Sequence, residues 1–241
     1  MTSASDSLEV AAKTPATSGF RVWRAGLVNY HDALACQTRW VDQRSCWDFD
    51  LLALLQHPPV ITLGRSTNRD HLLWSPAMLK AAGIDCVETR RGGDITLHSP
   101  GQLVGYPIVA LHQAARDLHR FLRRLETVIL RTLADFNLTG HTVPGKTGVW
   151  IANRKIASIG IAVRRWISYH GFALNIDNDL TAFAAIVPCG LQGVTMTSLQ
   201  QETGRPIRTV DVVDLLVDHY GDVMQQPLLG DFDEQTEVQQ T

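Results

Sequence analysis

The sequence predicts an α/β fold: a single domain with mixed, partly antiparallel sheets and flanking helices. Three observations carry that expectation. Residues 116–136 place Leu118, Phe121, Leu122, Leu125, Ile129, Leu133 and Phe136 at three- and four-residue intervals, the spacing of one helical face. GVWI, KIASIGIAV and YHGFALNI then follow as strand-like runs separated by short turns, which favours antiparallel neighbours. No Ser/Pro-rich linker or internal repeat divides residues 19–225.

Taken in order, residues 1–18 are small and polar and are expected to form a disordered tail. FRVWRAGLV reads as the first strand and Tyr30 to Arg44 as a helix. LLALLQH and VITLG are two extended pieces on either side of Pro58-Pro59. Ser75-Pro76 opens a short helix that stops at Gly83, with serine as cap and proline at the first turn. IDCVET and QLVGYPIVAL are strand-like and bracket a polar loop. After the long helix, Asn153-Arg154 turns the chain between GVWI and KIASIGIAV, and Thr209 caps a last helix carrying Val212, Val213, Leu216 and Tyr220. Residues 226–241, with Asp231, Asp233, Glu234 and Glu237 and no basic residue, read as an acidic flexible tail.

Composition excludes several classes. With 45% hydrophobic residues in 241, the chain can bury a sizeable core. A formal charge of −2 argues against a general nucleic-acid binder. No apolar run is long enough to span a membrane, and the first residues lack the pattern of a secretory or organellar leader. The four cysteines show no CxxC pairing or zinc-like spacing with histidine, so a reducing cytoplasm, with no metal and no cofactor, is the expectation.

The richest chemistry lies in RRGGDITLHSPGQLVGYPI, from Arg90 to Ile108. Gly92 and Gly93 permit close approach to the backbone, and His98 stands just before a Pro100-Gly101 turn. GHTVPGKT, Gly140 to Thr147, fits the phosphate-loop pattern but lacks its context: a helix precedes it, β-rich sequence follows, and Pro144 deletes an amide. It is therefore rejected as an ATP site. His31, His57, His71, His112, His119, His141 and His219 have no chemical company in sequence and are read as structural; His170 is weighed between the two roles.

Cys36 and Cys86 sit in apolar context and read as core thiols, and Cys46 lies at a helix end. Cys189 differs, standing between Pro188 and Gly190, and is a candidate nucleophile that needs a partner to form its thiolate. Lys155, at the mouth of the apolar strand IASIGI, is the candidate partner: a lysine that loses solvent there can serve as a base.

With RGGDITLHSPGQ, the lysine of KIASIG, HGFALNI and PCG in that order, the chain resembles the lipoyl(octanoyl) transferases, the octanoyl-acyl-carrier-protein:protein N-octanoyltransferases. The resemblance runs from about Tyr30, through HPPVITLGR at His57 to Arg65, to about Leu199. It implies the α/β catalytic fold of the biotin- and lipoate-protein ligases over residues 19–225. It implies Cys189 as the acyl-accepting nucleophile and Lys155 as its activating base. Arg91, Gly92, Gly93, Asp94, Ile95, Thr96, Leu97 and His98 match the substrate-binding segment, with His98 positioning substrate. Ser158, Ile159 and Gly160, and Gly171, Phe172 and Ala173, match two shorter stretches along the acyl pocket.

The implied donor is octanoyl-acyl carrier protein. The implied acceptors are lysines on lipoyl domains of 2-oxoacid dehydrogenase complexes and on the glycine-cleavage carrier protein. Two positions depart from the family's YHGPGQ: Leu97 and Ser99 replace its aromatic residue and glycine. Beside the transferred motifs, Arg90, Arg164 and Arg165 form a candidate basic face for an acidic carrier. The alternatives of the same fold are an ATP-dependent lipoate-protein ligase and a lipoyl amidotransferase. A third reading is a catalytically silent carrier-binding module.

Overall fold

The computed structural model describes residues 18–111 and 118–234. The first seventeen residues of the expected N-terminal tail, and residues 112–117 with His112, lie outside this range. Strand β1 (Gly19–Leu27) leads into helix α1 (Tyr30–Gln43), followed by β2 (Phe49–Gln56) and β3 (Val60–Leu63). Helix α2 (Pro76–Ala81), capped by the Ser75 side chain on Met78 N, precedes β4 (Asp85–Glu88), β5 (Ile95–His98) and β6 (Gln102–Ile108). The long helix α3 (Leu118–Asp135) is followed by β7 (His141–Val143), β8 (Lys146–Ile151), β9 (Arg154–Arg164) and β10 (Ile167–Asn175). Strand β11 (Thr195–Met196), helices α4 (Leu199–Thr203) and α5 (Thr209–Met224), and β12 (Leu228–Asp231) complete the described chain.

Among the described residues the strands form two sheets. The large one runs β12-β1-β2-β6-β10-β9-β8-β7 with β11 beside β9; the small one is β4-β3-β5. Both are mixed: β1 pairs parallel with β2 and β12, whereas β6, β10, β9 and β8 pair antiparallel. The expected α/β architecture is therefore present.

Strand alternation explains how the layers form. In β2, Leu52 and Leu54 face the core under α3 and α5, while Leu51, Ala53 and Leu55 face the core under α1. That is why FDLLALL is apolar at nearly every position. Phe121, Leu125, Ile129 and Leu133 of α3 pack on the first side, as their spacing predicts. The small sheet has its own core, in which Ile61, Ile95 and Leu97 meet Phe183, Ala185, Ile186 and Met196.

Several expectations are corrected. The segment around Ile95 is a buried strand of the small sheet, not a loop, its polar letters hiding a period of two. Thr209 is the first helical residue of α5; Arg208 occupies the cap position without a side-chain cap bond. The turn before β9 is Ala152-Asn153. Cys86 is exposed on the edge strand β4 rather than in the core, and Cys36 is only half-buried. The acidic end is not a free tail over 226–234: β12 pairs with β1, and Phe232 is 4% exposed. Its charges are answered by Arg24 on Asp231 and Arg39 on Glu234. Residues 235–241 lie outside the described range.

GHTVPGKT forms the β7–β8 hairpin, with Pro144-Gly145 as a two-residue turn and Gly145 at φ +76°. A strand leaves the loop where a phosphate loop needs a helix. Among the described residues no helix is long and apolar enough to cross a membrane.

Candidate active site

Lys155 enters β9 at the point where β11 joins it. Met196 is its parallel partner, and Thr197 N–H donates to Lys155 O at 2.9 Å. The side chain is buried, 1% exposed, and passes beside the Trp150 ring, with Nζ 5.4 Å from the ring centroid. Nζ donates to Thr147 O at 2.9 Å and to Cys189 Sγ at 3.2 Å. Room for it comes from Gly148 at φ +126°, where a β-carbon would lie 2.8 Å from Lys155 Cε and 2.4 Å from Ala157 O. The Gly148 amide is held by the buried carboxylate Glu126 of α3, at 3.0 Å.

Cys189 sits in the tight turn Pro188–Gly190, at φ +55° and followed by Gly190 at φ +67°. The left-handed conformation is strained for a residue with a side chain, a cost of about 1–3 kcal/mol that surrounding structure must sustain. Here it turns Sγ toward β9, where Ser158 Oγ also lies 3.7 Å away. A thiol and an amine 34 positions apart in sequence thus meet at hydrogen-bond distance.

The pair opens into a cavity of about 320 Å³, at the small end of the range for ligand pockets. Its lining includes Arg91, Gly92, Gly93, Asp94, Thr96 and His98 from the first segment, and Ser158, Ile159 and Gly160 from β9. Gly171, Phe172 and Ala173 of β10 line it as well. Ile95 and Leu97 do not line it: strand alternation turns both into the small sheet's core, each 0% exposed. The departure at Leu97 therefore leaves the cavity wall untouched.

The sequence reading also missed lining residues, among them Tyr30, Tyr106, Leu118, Leu122 and Leu191. The apolar pair Leu118 and Leu122 carried a visible signal, since both lie on the α3 face already marked as buried. Tyr30 and Tyr106 carried none, because only the tertiary fold brings them to the site.

Burial sets the charge states of the inner wall. The imidazoles of His98 and His170 are pushed down to about 3 by desolvation, so both are neutral at pH 7. His98 Nδ1 faces Gln102 Oε1 at 2.7 Å, so Nδ1–H donates; Gln102 in turn donates to Asn175 Oδ1 at 2.8 Å. The same cause raises Tyr30 to about 12 and His57, behind it, falls to about 4. His57 donates from Nδ1 to Val28 O and accepts the Tyr106 hydroxyl proton, each at 2.7 Å.

Arg91, 7% exposed, is tied by Nε to Thr62 Oγ1 at 3.1 Å and by its Nη2 to Thr62 O at 2.6 Å. Burial pulls it down from the usual guanidinium range, yet arginine keeps its proton at neutral pH. On the outer surface, Arg164 and Arg165 share one counter-charge, Asp42, at 2.5 and 3.7 Å.

The family model "Lipoyl protein ligase A/B catalytic domain" matches residues 29–221. The chain is 45% identical over 206 residues to the octanoyltransferase of Caldicellulosiruptor bescii, covering 84% of this chain and 90% of that one. It is 44% identical over 201 residues to the octanoyltransferase of Syntrophotalea carbinolica, covering 83% and 92%. Against the longer octanoyltransferase of Myxococcus xanthus, 41% identical over 206 residues, it spans 58% of the relative's length. Among solved structures, a lipoate-protein ligase A bound with ATP superposes with a TM-score of 0.77 at 16% identity, covering 91% and 92% of the two chains. The bi-partite lipoate protein ligase of Thermoplasma acidophilum gives 0.73 at 15% identity, covering 92% and 90%. These two likenesses speak for the fold alone.

Proposed function

This chain belongs to the lipoyl protein ligase A/B catalytic-domain family, and from that premise we propose that it is an octanoyltransferase. It moves an octanoyl group from octanoyl-acyl carrier protein to a lysine on a lipoyl domain, through a thioester on Cys189. The observation that carries this reading is the 3.2 Å contact of Lys155 Nζ with Cys189 Sγ at the mouth of the cavity.

Lys155 takes the Sγ proton and the thiolate attacks the thioester carbonyl of the donor. The carrier's sulfur leaves with the proton from Lys155, and the acyl group stays on Sγ. Exchange between thioesters is close to isoenergetic, so this step needs positioning rather than driving force. The amine of the acceptor lysine then attacks the same carbonyl carbon, the C–S bond breaks and an amide forms. Amide formation from a thioester is downhill and needs no nucleotide.

The acyl chain lies against Ile159, Phe172, Leu118 and Leu122, all on the cavity wall. At about 0.8 kcal/mol per buried methylene, an eight-carbon chain gains several kcal/mol before ordering costs. The buried Arg91 guanidinium adds positive potential near the reacting carbonyl oxygen. On the surface, Arg90, Arg164 and Arg165 speed encounter with an acidic carrier, tempered by Asp42.

Intact-mass spectrometry after brief exposure to octanoyl-carrier, with no ATP present, tests the reading. The expected result is one added octanoyl group, absent in Cys189→Ala and formed at least tenfold more slowly in Lys155→Ala, in line with the loss of a base. An adduct that persists in Cys189→Ala, or transfer that requires ATP, overturns it.

A further inference from the structure

An acceptor lysine arrives as an alkylammonium and ends as an amide nitrogen bearing a single hydrogen, so it must give up two protons. Lys155, having passed its proton to the departing carrier, can receive one of them and return it to Sγ. The other needs a second acceptor.

The fold supplies a pair suited to that task. His71, in the short turn Arg69–His71, and Asp94, just before β5, meet with Nδ1 2.5 Å from Oδ2. An ionised carboxylate only accepts, so the neutral imidazole carries its hydrogen on Nδ1 and keeps a lone pair on Nε2. No bond to Nε2 is found among the described residues, and the side chain is 19% exposed. The second carboxylate oxygen, Oδ1, accepts the Ile95 amide at 2.8 Å, which fixes the carboxylate's orientation.

This pair abuts the nucleophile's turn. A β-carbon on Gly190 would lie 2.3 Å from Asp94 Oδ2 and 2.9 Å from His71 Cε1, so only glycine beside Cys189 lets them approach. The backbone is joined there too, with Val187 N–H donating to His71 O at 2.8 Å. Charge points the same way. Arg91 and Lys146 bring positive charge to the cavity lining, and Asp94 is the one carboxylate among its described lining residues. It is therefore the local attraction for a cationic side chain.

We infer that His71 and Asp94 form the acceptor side of the site, Asp94 drawing in a primary alkylammonium and His71 Nε2 removing its first proton. The inference rests on the acyl-Cys189 reading above. In sequence, the ammonium yields one proton to Nε2 and the neutral amine attacks the carbonyl carbon. As the C–S bond breaks, the second N–H proton passes through Lys155 to Sγ, and the imidazolium returns its proton to solvent.

The test separates the two half-reactions by rapid quench and intact mass: loading of the chain from octanoyl-carrier, then discharge of the isolated acyl form by a lipoyl-domain acceptor. His71→Asn keeps an N–H donor where Nδ1 stood and removes Nε2. The expected result is loading within about threefold of the parent and discharge slowed about 100-fold at pH 7, the scale of general-base catalysis. The deficit should shrink as pH rises toward 10, because a growing share of a lysine that ordinarily titrates at about 10.4 then arrives as the free amine. Equal slowing of loading and discharge at every pH would make the pair a structural clamp and overturn the inference, as would unchanged discharge. An unaltered chain that never loads overturns the proposed function itself, and this inference with it.

Discussion

Gly148 shows how closely the surroundings of Lys155 are fitted. An alanine there meets Ala157 O and Lys155 Cε at less than 3 Å and must hold φ at +126°. Gly148→Ala is expected to cost about 1–3 kcal/mol of stability, read as a lower urea midpoint, and to slow loading of Cys189 by displacing Nζ. The buried imidazoles make a second expectation. His57, His98 and His170 hold folded values of about 4, 3 and 3, against about 6.5 in an unfolded chain. The unfolded state therefore binds more protons as pH falls below about 6.5, and stability falls with it, by up to about 1.4 kcal/mol per pH unit for each histidine. The loss continues until about pH 4 for His57 and about pH 3 for the other two. Urea midpoints at pH 7.5 and 5.5 check this; equal midpoints would contradict it. As candidates, Cys189 and Lys155 were legible because their immediate neighbours are unusual. His71 was not, since its meaning lies in Asp94, 23 positions away.

Among the elements, those with a long single-face pattern were readable from the order of amino acids alone. Helix α3 shows its buried face in the spacing of Phe121, Leu125, Ile129 and Leu133, and β8, β9 and β10 announce themselves by apolar runs between short turns. The elements that escaped are short or carry charge. Strand β5 spans four residues, two of them polar because they face the cavity rather than the core. Strand β12 was concealed by acidic neighbours whose partners, Arg24 and Arg39, lie some 200 positions earlier. Its anchorage can be measured. Phe232 packs against Trp47 at 5.4 Å and Trp40 at 6.0 Å between ring centroids, and its amide donates to Val22 O at 2.8 Å. Phe232→Ala is expected to destabilise the chain by about 3–5 kcal/mol in calorimetric or urea unfolding. A flexible end would show no change.

At the scale of the whole molecule, the site is a seam. Lys155 rides on the large sheet, while the turn bearing Cys189 follows Ala185 and Ile186, which belong to the small sheet's core. Met196 joins the two, pairing with Lys155 and packing in that second core. The fold class was legible from strand and helix order, but this division was not, because separately packed cores in one domain leave no mark on composition. Its consequence concerns how the molecule fails. The contact of Lys155 with Cys189, spanning two separately packed cores, is broken by any loosening between them, well before either core melts. Transfer activity should thus vanish at a lower urea concentration than the tryptophan fluorescence or helical circular dichroism signal. Coincident midpoints would show instead that the two cores come apart only together.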